Sequence, residues 1–222
     1  MQKSLLTLTM RNKMKTKILG WCLLVISLNV QGSQSIDSNS KWFKPYGASY
    51  DSSCLLEAYE KIEKKIDLEK NNRLFMDCFP KNFDRFVDIF GYQVSSYFDV
   101  EKGSGFLAEN EKSPDIIGHF FEVSEHDENI DRILFIGVNG FWQLDNVGVY
   151  QYYLRDFIKN NQSKSFKFLD NLSQRDLDSF WFFFFDGRYS DKNFPNFLKK
   201  NEFASKRILD SAAKAYENST EK

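Results

Sequence analysis

The chain has 222 residues, with 30 Lys and Arg against 31 Asp and Glu and a formal net charge of −1. Residues 1–32 carry five basic residues and no acid, so the remaining 190 residues hold 25 basic and 31 acidic residues, a net charge of −6. That length suits one domain with a sizeable core. The acidic balance, with no basic block, disfavours nucleic acid and anionic membrane surfaces as partners.

Residues 1–32 have the pattern of a secretory signal peptide. Basic residues precede an apolar run of 13 residues, Ile18–Val30, and Val30-Gln31-Gly32 offers a cleavage site. The run is shorter than the roughly 20 residues that cross a bilayer, although an uncleaved signal anchor is the alternative. We therefore expect cleavage near Gly32, a secreted or periplasmic protein, and no stable membrane span after processing. Residues 33–50 would then be a polar segment before a single helical domain at 51–218.

The first helix is predicted from about Ser53 to Asn71. Its apolar residues recur at helical spacing, and Ile66 is the last of them before the polar stretch that follows. A short apolar piece, Leu74–Phe79, precedes Pro80. The full apolar face of this first helix comprises Leu55, Ala58, Tyr59, Ile62 and Ile66.

Capping residues mark the beginnings of three further helices. Asn82 precedes a strongly periodic segment that ends at Gly91, and Ser113 precedes Pro114 at the next helix start. Asp145 is the expected cap of a long helix at 146–160. Between these helices, residues 92–112 read as an irregular connection. The other predicted helices lie at about 129–138, 166–172, 173–187 and 205–218, with a single turn after Pro195.

The stretch Ser173–Gly187 is the most apolar part of the domain. Ser173 and Asp176 form an S-x-x-D capping pattern, and Gly187 can end the helix. Aromatic residues occupy every face of its second half, which predicts a wholly enclosed helix. A central strand and an aromatic ligand box are the alternatives. We expect this helix at the centre of the core, with burial of Phe180, Trp181 and Phe184.

No run alternates with period two for long enough to indicate a strand. The sequence therefore predicts an all-α fold, a compact multi-helix domain of about seven to nine helices around the central aromatic helix.

The chain offers few groups for catalysis or metal binding. Cys54 and Cys78 remain after signal cleavage and either pair in an oxidising compartment or stay as buried thiols. His119, Glu122 and His126 are weak metal candidates, because an inverted zinc-protease motif requires H-x-x-E-H and position 123 is Val. We expect no cofactor and no catalytic set.

Two loops are the candidate partner-binding elements. Phe141 and Trp142 follow a predicted helix end, and aromatic residues in such positions are common interface anchors. Arg188, Tyr189 and Asp191 follow the central helix. These five residues would form one contact surface if both loops lie on one side, whereas Trp142 would otherwise belong to the core.

Three segments carry a resemblance to known proteins. CFPKNFDRFVDIFG at 78–91, NGFWQLDNVGVYQ at 139–151 and SFWFFFFDG at 179–187, behind a signal peptide, resemble small secreted all-helical bacterial proteins, most of them uncharacterised. Some proteins of this layout are periplasmic immunity proteins that neutralise a toxin. The resemblance implies a helical fold and an envelope location more than an activity, and no functional residue carries over from it. The rival expectations are a metal-dependent hydrolase and a carrier of an apolar ligand.

Overall fold

The computed structural model describes residues 52–92, 105–124, 129–143, 145–187, 193–199 and 201–220, which lie in one compact unit. These residues form ten α-helices. The helices are α1 (Ser52–Glu63), α2 (Leu68–Cys78), α3 (Phe83–Phe90), α4 (Ser113–Val123), α5 (Ile130–Ile136), α6 (Asn146–Asn160), α7 (Gln162–Asp170), α8 (Gln174–Phe185), α9 (Asn196–Lys199) and α10 (Lys206–Thr220).

The predicted all-α fold is confirmed, although the described residues form more helices than the seven to nine expected. One continuous apolar core joins side chains from all ten helices. Phe180, Trp181 and Phe184 of α8 are fully buried in it, as predicted. Helix α8 packs mainly against α10 and also against α6.

The N-terminal cap of α8 is the predicted one. The Ser173 hydroxyl accepts a hydrogen bond from the Asp176 N–H at 3.1 Å and donates to the Asp176 carboxylate at 2.8 Å. The expectation that every face is enclosed was wrong at one position, since Phe182 is 40% exposed. Periodicity could not show this, because an apolar residue can lie on a solvent-facing side of a helix whose other faces are all covered.

The single helix predicted at Ser53–Asn71 was wrong. The chain reverses between α1 and α2, and the two helices pack as an antiparallel hairpin. Ile66 therefore lies in the turn rather than on the buried face. At the open end of the hairpin Cys54 and Cys78 form a disulfide, with Cα atoms 6.1 Å apart.

The predicted caps differ in outcome. Asn82 accepts from the Arg85 N–H at 3.0 Å, and α3 ends at Gly91 as expected. Ser113 does not cap α4; its buried hydroxyl donates to the Leu107 carbonyl at 2.6 Å instead. Asp145 occupies the N-cap position of α6 but makes no capping hydrogen bond with its side chain.

Three arginines cap the carboxyl ends of helices that are distant in sequence. Arg132 of α5 is 3% exposed and donates to the carbonyls of Met76, Phe79 and Pro80 at the end of α2. Arg155 donates to Phe184 O at 2.9 and 3.2 Å. Arg207 donates to the carbonyls of Leu169 and Asp170 at the end of α7 and of Leu172 just beyond it. Each guanidinium donates to carbonyls at or just beyond a helix C-terminus, where partners within the helix are lacking. Its positive charge also interacts favourably with the negative end of the helix dipole.

None of the helices in the described ranges combines the length and apolarity needed to cross a membrane. The predicted signal peptide and the polar segment at 33–50 lie outside the described residues.

Candidate interaction surface

The loop between α5 and α6 is fastened to α8 at two points. Asn139, in the left-handed conformation at φ 59°, donates its N–H to Ser179 Oγ at 3.0 Å. The N–H of Trp142 donates to Asp186 Oδ2 at 2.9 Å. Since Ser179 and Asp186 lie on one helix and just beyond its end, these bonds hold the loop along the second half of α8.

The close fit of the loop depends on glycine. Gly187 has φ 104°, and a Cβ there would lie 2.1 Å from Trp142 Cδ1. A Cβ at Gly140 would lie 2.7 Å from the Phe183 ring. The Trp142 indole therefore packs directly on the backbone that leaves α8. Its buried Nε1 has no hydrogen-bond partner among the described residues.

Phe141 is the aromatic side chain that this arrangement presents to solvent. Its ring is 47% exposed. The inner edge meets Phe83 of α3 in a T-shaped contact with ring centroids 5.0 Å apart, and Phe83 contacts Phe183 in the same way at 5.3 Å. The exposed ring thus rests on a buried aromatic stack, which restricts its movement.

Buried amides fix the far end of the loop. Gln143 Oε1 accepts from the Tyr92 N–H at 3.2 Å. Asn146 Nδ2 donates to the carbonyls of Phe90, Leu107 and Ala108, at 3.1, 3.4 and 3.0 Å. Both amides therefore tie the loop to the end of α3, beyond which Tyr92 lies.

Two carboxylates act on the side chain of Tyr92, the residue whose N–H is bonded to Gln143. Burial, followed by the carboxylates of Asp145 and Glu109, raises the pKa of the Tyr92 phenol. Both carboxylates belong to exposed residues. We call these two carboxylates the acidic rim, and their sign agrees with the acidic balance of the chain.

The five predicted partner-binding residues have different outcomes. Phe141 is exposed, and Trp142 is half-buried rather than fully in the core. Arg188, Tyr189 and Asp191 lie outside the described residues. The described flanks of the two loops do meet, because Trp142 contacts Gly187.

Within the described part of the chain, no group of three His, Cys, Asp or Glu side chains converges as metal ligands would. His119 Nε2 lies 3.0 Å from Asn72 Oδ1, and Nδ1 lies 3.5 Å from a Glu122 oxygen. The imidazole packs edge-on against the rings of Tyr59 and Phe75. His126 is outside the described residues. His119 thus bridges α2 and α4 by hydrogen bonding and aromatic contact.

Sequence reasoning missed the polar residues that hold the surface. The side chains of Gln143, Asn146 and Asp186 each bond a backbone group 38 to 56 positions away. Asn146 reads as an ordinary first-turn residue of α6, and Asp186 as an ordinary helix-terminal residue. The only local signal is Asp186-Gly187, which indicates a turn but not its partner.

Comparison with known proteins gives no relative: no family model, curated protein or solved structure matches this chain.

Proposed function

We propose that the chain is a non-enzymatic protein-binding protein of the cell envelope, and that neutralisation of a toxin is its most concrete role. The observation that carries the proposal is the exposed Phe141 ring on a loop held by α3 and α8. Phenylalanine, like the other aromatic residues, is enriched at protein–protein interfaces, where a few well-packed residues contribute most of the binding energy.

The order of the loop supports this assignment. The N–H groups of Asn139 and Trp142 donate hydrogen bonds, the Gln143 side chain accepts one and the Asn146 side chain donates. These bonds define the course of the loop before any partner arrives. A surface that is already ordered loses less conformational entropy on binding, so more of the contact energy appears as affinity. The acidic rim at Glu109 and Asp145 adds an electrostatic preference for a basic partner.

The Cys54–Cys78 disulfide supports the proposed compartment. Disulfides persist in the periplasm and outside the cell and are rare in the reducing cytosol. Its presence therefore agrees with export directed by residues 1–32.

The test is capture by the full-length tagged chain in its native host, followed by affinity measurement with each captured protein in purified form. Phe141→Ser should weaken binding at least tenfold, as expected for a central aromatic anchor. Phe203→Ser is the matched control, because Phe203 is 51% exposed but lies beside the α6–α7 junction. If the partner is a toxin, co-expression of the wild-type chain should restore growth and the Phe141 variant should not.

Other outcomes would select the rival functions. Equal binding by both variants would place the partner elsewhere, and the absence of any specific partner would refute the proposal. A transition metal retained through purification would favour the hydrolase. A lipid retained in native mass spectrometry would favour the carrier.

A further inference from the structure

The turn between α1 and α2, residues 64–67, and the first residue of α2 each expose one aliphatic side chain to solvent. Ile66 is 51% exposed and Leu68, the first residue of α2, is 45% exposed. They lie two positions apart, on either side of Asp67, at the end of the hairpin opposite the Cys54–Cys78 disulfide. We call residues 61–70 the hairpin tip.

The backbone of the hairpin tip is well defined. The Ile66 N–H donates to Lys61 O at 2.9 Å and the Lys65 N–H to Ile62 O at 2.8 Å, which is the pair of bonds in a Schellman motif. Lys65 takes the left-handed position at φ 56°, where glycine is usual, and Asp67 is also left-handed at φ 39°.

A buried side chain secures the turn from below. Asn71 Nδ2 donates to Ile66 O at 2.6 Å and to Asp67 O at 3.1 Å. Ile66 occupies the position that commonly packs back on the helix in this motif, but its helical counterpart is Lys61, and half of the Ile66 side chain stays exposed. The turn therefore leaves the Ile66 side chain exposed to solvent.

The hairpin tip contains more basic than acidic residues. Of the three acids within the hairpin tip, Glu63 is bonded to Lys112 at 2.7 Å and Glu69 to Arg73 at 2.8 Å. Asp67 is the remaining acid within the hairpin tip. The exposed lysines of the tip are Lys61, Lys64, Lys65 and Lys70.

Local charge at the tip is thus opposite to that of the whole chain. The net acidity disfavours an anionic surface as a general partner, but attraction within a Debye length, about 8–10 Å, depends on the charges that face the surface. The hairpin tip carries four lysines against three acids, a net charge of +1, together with two exposed aliphatic side chains.

We propose that the hairpin tip docks on an anionic phospholipid bilayer, with Ile66 and Leu68 entering the boundary between headgroups and acyl chains. Lysines beside exposed apolar residues are the pattern of interfacial membrane binding. Lysine is depleted at protein–protein interfaces, which argues against a protein as the occupant. Two aliphatic side chains and four lysines give weak, reversible attachment. The inference is independent of the Phe141 surface.

The test uses the full chain with its disulfide intact and Cys22→Ser, so that one introduced cysteine at Leu68→Cys carries a polarity-sensitive fluorophore. The probes are vesicles of phosphatidylcholine alone and of phosphatidylcholine mixed with phosphatidylglycerol. A local fluorophore is required because the apolar run at 18–30 could itself bring the chain to vesicles. The same label at Phe203→Cys is the matched control.

The label at position 68 should brighten and shift to the blue with phosphatidylglycerol vesicles, whereas the label at position 203 should not. Lys64→Gln together with Lys65→Gln should weaken the response about 20- to 30-fold, since each lysine near a membrane surface contributes about fivefold. Added salt should weaken it further. Phe141→Ser should leave it unchanged, which separates this test from that of the partner surface.

Three results would overturn the proposal: no change at position 68 with anionic vesicles, an equal response to phosphatidylcholine alone, or an unchanged response in the double lysine variant. A signal at position 68 that appears only with a protein from the envelope would also overturn it and assign the tip to that protein.

Discussion

Substitution of Arg132 by Met should destabilise the domain more than any surface substitution. The guanidinium is 3% exposed and donates to three carbonyls beyond or within the last turn of α2. It also lies 5.6 Å from the centre of the Phe120 ring. Methionine fills much of the volume but leaves the carbonyls of Met76, Phe79 and Pro80 without this donor.

The size of the effect follows from those bonds. Each hydrogen bond from a charged donor contributes about 1.5–3 kcal/mol, and an unpaired buried acceptor costs about 1–3 kcal/mol. Because the carbonyls share one donor and the chain can relax around them, we expect a loss of about 3–5 kcal/mol rather than the full sum. A domain stable by about 5–15 kcal/mol would lose a large part of its stability.

Urea unfolding followed by circular dichroism measures the loss. With a slope of about 2–3 kcal/mol per molar, the midpoint should fall by about 1–2 M. Arg73→Met is the matched control, since its bond to Glu69 joins two highly exposed side chains and should change stability by about 0.5 kcal/mol or less. If the Arg132 variant loses no more stability than this control, the buried guanidinium does not stabilise the end of α2.

Trp181→Ala should cost about 3–5 kcal/mol because the side chain is fully buried, whereas Phe182→Ala should cost clearly less because Phe182 is 40% exposed; equal shifts in melting temperature would contradict the assigned faces of α8. Reduction of the Cys54–Cys78 disulfide, which closes a separation of 24 residues, should cost about 2–4 kcal/mol, and two reactive thiols in the unreduced, denatured protein would disprove the bond. Burial first, and then Asp115, Glu63 and Glu122, raise the pKa of Tyr59 to about 12. The neutral phenol is therefore favoured by folding, so this contribution is complete below pH 10 and is lost as the pH rises through about 12; Tyr59→Phe should remove that dependence, and a Tyr59 phenolate signal at 295 nm near pH 10 would exclude it.

The capped helices were predictable because their determinants are local. Asn82 and Ser173 each accept a hydrogen bond from the residue three positions later, so the capping residue and its partner are read from one short stretch. The burial of Phe180, Trp181 and Phe184 follows from the concentration of apolar surface in α8. These elements together determine the all-α class.

The reversal after α1 shows where local pattern fails. Ile66 continues the spacing of the apolar face, and neither glycine nor proline interrupts the sequence there. The left-handed conformations of the turn are taken by Lys65 and Asp67, so the usual sequence signal for a turn is missing. What stabilises the turn is the Asn71 amide below it and the packing of α1 on α2. Neither the Asn71 hydrogen bonds nor this packing can be predicted from the spacing of apolar residues.

The candidate interaction surface was likewise predictable only in part. An aromatic pair after a helix end identified Phe141 and Trp142 as candidates, since turn position and side-chain type are properties of the sequence. Their unequal exposure depends on Gly187, Asp186 and Phe83, which approach the loop only in the folded chain. The sequence alone therefore predicted the all-α class, the capped helices and the apolar side chains of α8 that form much of the core, but not the reversal between α1 and α2. Tertiary structure decided which carbonyls Arg132 and Asn146 satisfy and which aromatic residues face solvent, because a polar group selects its partner from everything that packing brings within about 3 Å.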